Sequence, residues 1–171
     1  MLRFIIFKKL ASEERKLGES VDYVRHIVRT SLSAFLRFAK IFSIATYRKA
    51  LPIDAKRVAE IVASRDEDCG TCVQIGINLA KADGVSSEIL TAVINRTPDE
   101  LPPPLRDVVL FTEAVVTSDP AANELRSRVE GHYGQAGLVE LALAIASSRF
   151  FPIVKRSLGY ATSCELVAFK V

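Results

Sequence analysis

Cysteine is scarce, glycine and proline are few, and no apolar stretch runs unbroken to membrane-spanning length in this chain of 171 residues. Each shortage closes a class of structure. Three cysteines, an odd count, exclude a disulfide-rich framework and suit a reducing compartment, so a cytoplasmic protein is the expectation. Eight glycines and seven prolines, mostly at the joints between apolar stretches, argue against an all-β chain with many tight turns. No stretch of useful length alternates with period two. The apolar stretch Leu32 to Ala45 is interrupted by Arg37 and Lys40 and falls short of the roughly 20 residues a spanning helix requires. Met1 to Phe7 begins like a signal peptide, but Lys8 and Lys9 close its apolar run early.

What is present is the composition of an ordinary globular domain, 49% hydrophobic and 25% charged. The net charge of +3 is unevenly spread: residues 1–50 hold 11 basic and 4 acidic side chains, and the remainder carries the acidic excess. A basic front end fits an anionic lipid surface or an acidic partner, or simply a solvated helix face. No nucleic-acid-binding motif accompanies the charge, so nucleic acid is not an expected partner.

The apolar spacing is helical almost throughout. A basic helix is expected over Arg3 to Leu17. From Ser20 onward, Val24, Val28, Ser31, Phe35, Phe38 and Phe42 share one stripe at about 100° per residue, which predicts a single long amphipathic helix. Leu51-Pro52 marks a break, and Asp54 helps start a helix to about Ser64. Further helices are expected from Cys69 to Asp83, from Ser86 or Ser87 to Asn95, from Pro103 or Pro104 to Thr117, and from Ala121 to His132. Gly134 and Gly137 then introduce Leu138 to Ser157, in which Leu138, Leu141, Ala142, Ile145 and Ala146 are the expected buried face and Pro152 a kink. The expected class is all-α, with a basic amphipathic helical arm over residues 1–45 and a helical domain over residues 46–171.

Chemistry concentrates at Cys69-Gly70-Thr71-Cys72, at the start of an expected helix. Two cysteines three apart can close a disulfide within one turn, and the free N–H groups and dipole of a helix N-terminus favour a thiolate there. Asp66, Glu67 and Asp68 oppose this, because neighbouring negative charge disfavours the anion. Spacing alone leaves open which cysteine faces outward. A structural zinc site would need four ligands, and the remaining candidates, Cys164, His26 and His132, are isolated in sequence. Two buried cysteines without chemistry are the other alternative. No metal or other cofactor is called for.

The stretch Arg57 to Val93, with Cys69-Gly70-Thr71-Cys72 followed by Ile75-Gly76-Ile77-Asn78-Leu79-Ala80, resembles the carboxymuconolactone decarboxylase and AhpD-like superfamily. His132-Tyr133-Gly134 through Leu138-Val139-Glu140-Leu141-Ala142 is similar to that family's second half. The resemblance covers roughly residues 50–160 and implies an AhpD-like helical bundle that assembles as a homo-oligomer. It also implies a Cys-x-x-Cys pair that reduces small peroxides with electrons from a dithiol donor protein. The family pattern has a glutamate twelve residues before the first cysteine and a histidine four after the second, together a proton relay; here those positions hold Arg57 and Gly76. Glu60, one turn from Arg57, is the candidate carboxylate base, and His132 a second candidate beside the thiols. The catalytic set is therefore Cys69, Cys72, Glu60 and His132. Glu140 stands in an apolar helix, either as a buried carboxylate near the site or as a partner for Arg149 or Lys155. Two functions follow: a thiol-dependent oxidoreductase acting on a small peroxide or disulfide and slowed by the missing relay, or a non-catalytic helical module. In the second, the basic arm docks on a protein or makes peripheral contact with an anionic membrane.

Overall fold

A computed structural model describes residues 2–164 and 167–171; Met1, Glu165 and Leu166 lie outside it. All regular structure among the described residues is helical. The elements are α1 (Leu2–Leu17), α2 (Asp22–Thr30), α3 (Leu32–Phe38), α4 (Ile41–Ala45), α5 (Ile53–Asp66), α6 (Gly70–Ala82), α7 (Ser87–Asn95), a 3₁₀ turn (Pro98–Glu100), α8 (Pro103–Thr117) and α9 (Ala122–Ser157).

Local signals account for most boundaries. Ser86 caps α7 by accepting from the Ile89 N–H, and Pro103 opens α8, where a missing N–H costs nothing. The core forms around α5, which is covered by α6, α8 and α9. Nine of its fourteen residues are buried, including Lys56, Glu60 and Ser64, so it is enclosed on nearly every side rather than on one stripe. Val58, Ile61 and Val62 meet Val73 and Ile77 of α6, Val108 of α8 and Leu141 of α9 in one continuous apolar cluster.

The single long helix expected after Ser20 is three short ones. Ser31 adopts an extended conformation (φ −149°, ψ 108°), and its hydroxyl accepts from the Ala34 N–H, ending α2 and starting α3. A serine side chain that offers the backbone another partner breaks a helix without disturbing its apolar period. The phenylalanine stripe packs on its own chain. Phe38 meets Tyr23 edge-on at 6.1 Å between ring centres and lies 5.8 Å from Phe150 and 6.1 Å from Phe151 of α9. Residues 2–45 thereby form a second apolar cluster against the C-terminal half of α9.

α9 departs from helical geometry at Gly134 (φ 68°, ψ 175°), a conformation open to glycine, which separates the charged segment from the apolar one. The helix continues through Pro152. Its buried face is rotated from the expected one. Leu141 and Ile145 are buried, but Ala142 and Ala146 are exposed, and the stripe continues through Ser148 and Pro152 to Lys155. Alanine fits either side of a helix, so apolar character alone misplaced the face. Length and composition would also allow α9 to cross a membrane, through an 18-residue window of mean hydropathy 1.6. In the fold that window is 44% buried, and α9 packs against α4, α5 and α8.

Glu140 is a buried carboxylate, but neither Arg149 nor Lys155 is its partner. Its oxygens accept from the N–H groups of Lys49, Ala50 and Leu51 at 2.9–3.0 Å, seating the segment that leads into α5. The Leu51 N–H, with those of Lys49 and Ala50, holds the carboxyl below its ordinary pKa of 4.5 against the opposing effect of burial. A carboxyl with a depressed folded pKa contributes stability that is present above 4.5 and is lost as pH falls through the folded value. Glu140→Gln is therefore expected to lower the urea midpoint at pH 7, and the gap to wild type should close as pH drops below 4.5. Parallel midpoints at every pH would contradict this role.

Candidate active site

Cys69 and Cys72 are joined as a disulfide, with Cα atoms 5.2 Å apart. A short turn delivers them. α5 ends at Asp66, Asp68 takes a left-handed conformation (φ 47°) that aspartate tolerates, and Cys69 stands at the N-cap of α6. The Cys69 carbonyl accepts from the N–H groups of Cys72 and Val73, which places both sulfurs in the first turn. Cys69 is 0% exposed, whereas Cys72 is partly exposed and is the outward cysteine of the pair.

The C-terminal segment closes over this turn. The Gly70 N–H donates to the Thr162 carbonyl at 2.8 Å, and a Cβ at Gly70 would stand 2.5 Å from a Val167 methyl. Only a glycine admits the segment so closely. The Cys164 N–H and the Ser163 hydroxyl donate to Asp68, and Gln74 exchanges hydrogen bonds with the backbone of Lys170. The bond from the Cys164 N–H, then that from Ser163, lowers the Asp68 pKa. Cys164 is a free thiol, partly buried, with its pKa raised first by burial and then by Asp68.

The acidic patch beside the cysteines is largely compensated. Glu67 is buried and accepts from Arg149 at 2.6 Å and Arg156 at 3.3 Å, and Arg149 also lies 3.6 Å from Asp66. The repulsion expected from three neighbouring carboxylates is correspondingly reduced.

Lys155 is a residue that sequence reading gave no part in the site. Its ammonium donates to the Thr71 hydroxyl, between the two cysteines, and Thr71 Oγ1 lies 3.8 Å from Cys69 Sγ. Lys155 is only 5% exposed, and its Nζ sits 5.9 Å from the centre of the Tyr23 ring. Burial lowers its pKa, opposed by Glu19 and Asp22. The signal was the helical stripe Leu141, Ile145, Ser148, Pro152 and Lys155, which places the lysine on the inward face of α9.

The other expected site residues stand in ion-pair clusters of their own. Glu60 is engaged by Lys56 at 2.8 Å and by Arg57 at 2.6 Å. Arg57 also holds Asp83 at 2.7 Å, at the end of α6 farthest from the cysteines, about 20 Å along the helix. His132 pairs through Nε2 with Asp107 at 3.0 Å, and Arg128 pairs with the same carboxylate at 2.9 Å. The neighbouring Tyr133 has its pKa pushed up to about 12 by burial, then by Asp54 and Asp107, so this cluster lies by the start of α5. The cysteines follow the other end of α5, and its fourteen residues span about 20 Å. The structure joins Cys69 to Cys72, while Glu60 and His132 stand in ion pairs of their own. Gly76 packs on α5, where a Cβ would come 3.0 Å from Ile61 Cγ1.

The chain matches no protein-family model and no curated protein.

Proposed function

We propose that this chain is a thiol–disulfide oxidoreductase of the AhpD-like kind, in which Cys69 and Cys72 carry two electrons from a dithiol donor protein to a small peroxide or disulfide. The observation that carries the reading is the pairing itself: two sulfurs joined in the first turn of a helix, one sealed and one partly exposed. With a hydroperoxide, the Cys72 thiolate takes the terminal oxygen, the O–O bond breaks, and the alkoxide leaves as the alcohol after protonation. The resulting sulfenic acid condenses with the Cys69 thiol, forming the disulfide and releasing water. A donor dithiol then exchanges with the disulfide and leaves as its own disulfide, returning two electrons.

The test is loss of an alkyl hydroperoxide in the presence of a small dithiol, followed for wild type and for the Cys69→Ser, Cys72→Ser double variant. Dithiol-dependent turnover in wild type and none in the double variant is the expected result. Equal, negligible rates would remove the enzymatic reading.

A second reading, a helical module working through its basic arm, has its own support. On α1, Phe4 is 74% exposed, Leu2 and Ile5 are also exposed, and Arg3, Lys8 and Lys9 accompany them. Apolar side chains among cations are the composition of a helix that lies on an anionic bilayer. Vesicles containing phosphatidylserine are expected to float the protein at low salt and to release it at high salt. Phe4→Ser with Lys8→Glu should abolish flotation; retention by the variant would count against this surface.

A further inference from the structure

We infer that Lys155, acting through the Thr71 hydroxyl, is the positioning residue that makes Cys69 the leaving sulfur when the Cys69–Cys72 disulfide is reduced. The inference rests on the redox reading above and adds to it the group that takes over from the histidine and glutamate of the resembled family.

The direction of the hydrogen bonds carries the argument. A disulfide sulfur bears no proton, so in the 3.8 Å contact between Thr71 Oγ1 and Cys69 Sγ the hydroxyl is the donor. Its lone pairs are free to accept from the Lys155 ammonium, which does donate to that oxygen. The Lys155 proton points at Thr71 Oγ1, and the Thr71 proton points at Cys69 Sγ. Cys69 is sealed from water, so a thiolate formed there has little solvent to stabilise it and depends on the charge and dipoles the protein provides.

Reduction then runs in balanced steps. A donor thiolate attacks the outward Cys72 Sγ, forming a mixed disulfide as the Cys69–Cys72 bond breaks and Cys69 leaves with the electron pair. The Thr71 hydroxyl meets the new anion, and the ammonium behind it can pass a proton through the hydroxyl to Cys69, the lysine being reprotonated by the proton the donor's second thiol gives up in the next step. The donor's second thiol closes on its own mixed-disulfide sulfur and frees Cys72 as a thiolate, which solvent protonates. Leaving-group acidity controls the first step, so a cation one hydroxyl away accelerates it and stabilises the reduced pair.

Other charges surround this chain from each packed element. Glu19 and Asp22 face Lys155 from the α1–α2 turn and α2, and Tyr23 supplies the ring beneath it. On the cysteine side, Asp68 is bound to the C-terminal segment, while Glu67 is held by Arg149 and Arg156 of α9. Arg65 at the end of α5 is committed to the Val93 carbonyl and Glu113, and Cys164 lies beside Asp68. Of these cations, Lys155 is the one joined to Cys69 through Thr71.

The experiment equilibrates the full chain, as wild type, Lys155→Met, Lys155→Arg and Thr71→Val, in dithiothreitol buffers of defined ratio. It then measures the rate of reduction by dithiothreitol between pH 6 and 10. Loss of the charge in Lys155→Met should slow reduction roughly tenfold and shift the equilibrium about tenfold toward the disulfide, about 30 mV for two electrons. Its pH profile should lose the limb contributed by the lysine, and Lys155→Arg should recover most of the rate. Thr71→Val should be slowed in the same direction, and it decides the matter if Lys155→Met does not fold. Rates and equilibrium constants within twofold of wild type in the folded variants would overturn the inference while leaving the reversible couple, and so the proposed function, intact. A wild-type pair that dithiothreitol does not reduce would overturn both.

Discussion

Serine at position 72 is expected to reduce peroxide turnover and dithiol exchange to the uncatalysed background, whereas serine at position 69 should trap the first intermediate. The difference follows from exposure. Cys72 is partly exposed and Cys69 is 0% exposed beneath the C-terminal segment, so an incoming thiolate or peroxide meets the sulfur of Cys72. In Cys72→Ser the remaining sulfur at this turn is the sealed one, and no attack follows. In Cys69→Ser the outward thiolate still reacts, but no second sulfur closes the disulfide. The protein should then accumulate a sulfenic acid with peroxide, or a mixed disulfide with an oxidised thiol. Intact mass after brief exposure to oxidised glutathione reads the outcome directly: a single glutathione adduct on Cys69→Ser that persists, and none at position 69 in Cys72→Ser. Cys164 is replaced by alanine in both backgrounds, so that its free thiol does not contribute. Adducts on both variants at equal rates would mean that exposure does not order the two sulfurs.

Restoring the resembled family's histidine should damage the fold instead of improving the chemistry. Gly76→His places a ring where a Cβ alone would stand 3.0 Å from Ile61 Cγ1, between two helices that approach closely. Overpacking of this kind costs about 1–3 kcal/mol, occasionally more. For a chain of this length that is a fall in Tm of about 2–12 °C. Gly76→Ala sets two smaller effects against each other. Helix propensity favours alanine by about 1 kcal/mol, and the tight contact with Ile61 opposes it by a similar amount, so its Tm should stay near wild type. Peroxide turnover at a temperature where both variants are folded should not rise. A stable Gly76→His with faster turnover would show that the site lacks only that side chain, and that Lys155 and Thr71 do not fill its place.

The sequence exposed short-range features far better than long-range ones. Cys69 and Cys72 are three residues apart, the cap at Ser86 and the proline at the start of α8 act within one turn, and all were readable from neighbours. The break at Ser31 was hidden because the apolar period runs through it while the hydroxyl redirects the backbone. Glu140 stood out as a carboxylate in an apolar helix, but its three N–H partners lie 89–91 residues earlier, and no spacing rule links them. Lys155 and Thr71 are separated by 84 residues and meet because the inward stripe of α9 ends at the first turn of α6. His132 and Glu60 are of residue types able to move protons. Their positions were set by Asp107 and by Lys56 and Arg57, which hold them in separate clusters.

The central claim is that the two sulfurs of the α6 turn exchange electrons with the outside as a unit. Thiols counted by alkylation and intact mass, across redox buffers spanning about −320 to −120 mV, test it most directly. The account predicts that Cys69 and Cys72 become alkylatable together along a single two-electron curve, while Cys164 follows no part of it. Independent modification of the two cysteines, or a pair that stays in one state across the whole range, would contradict it.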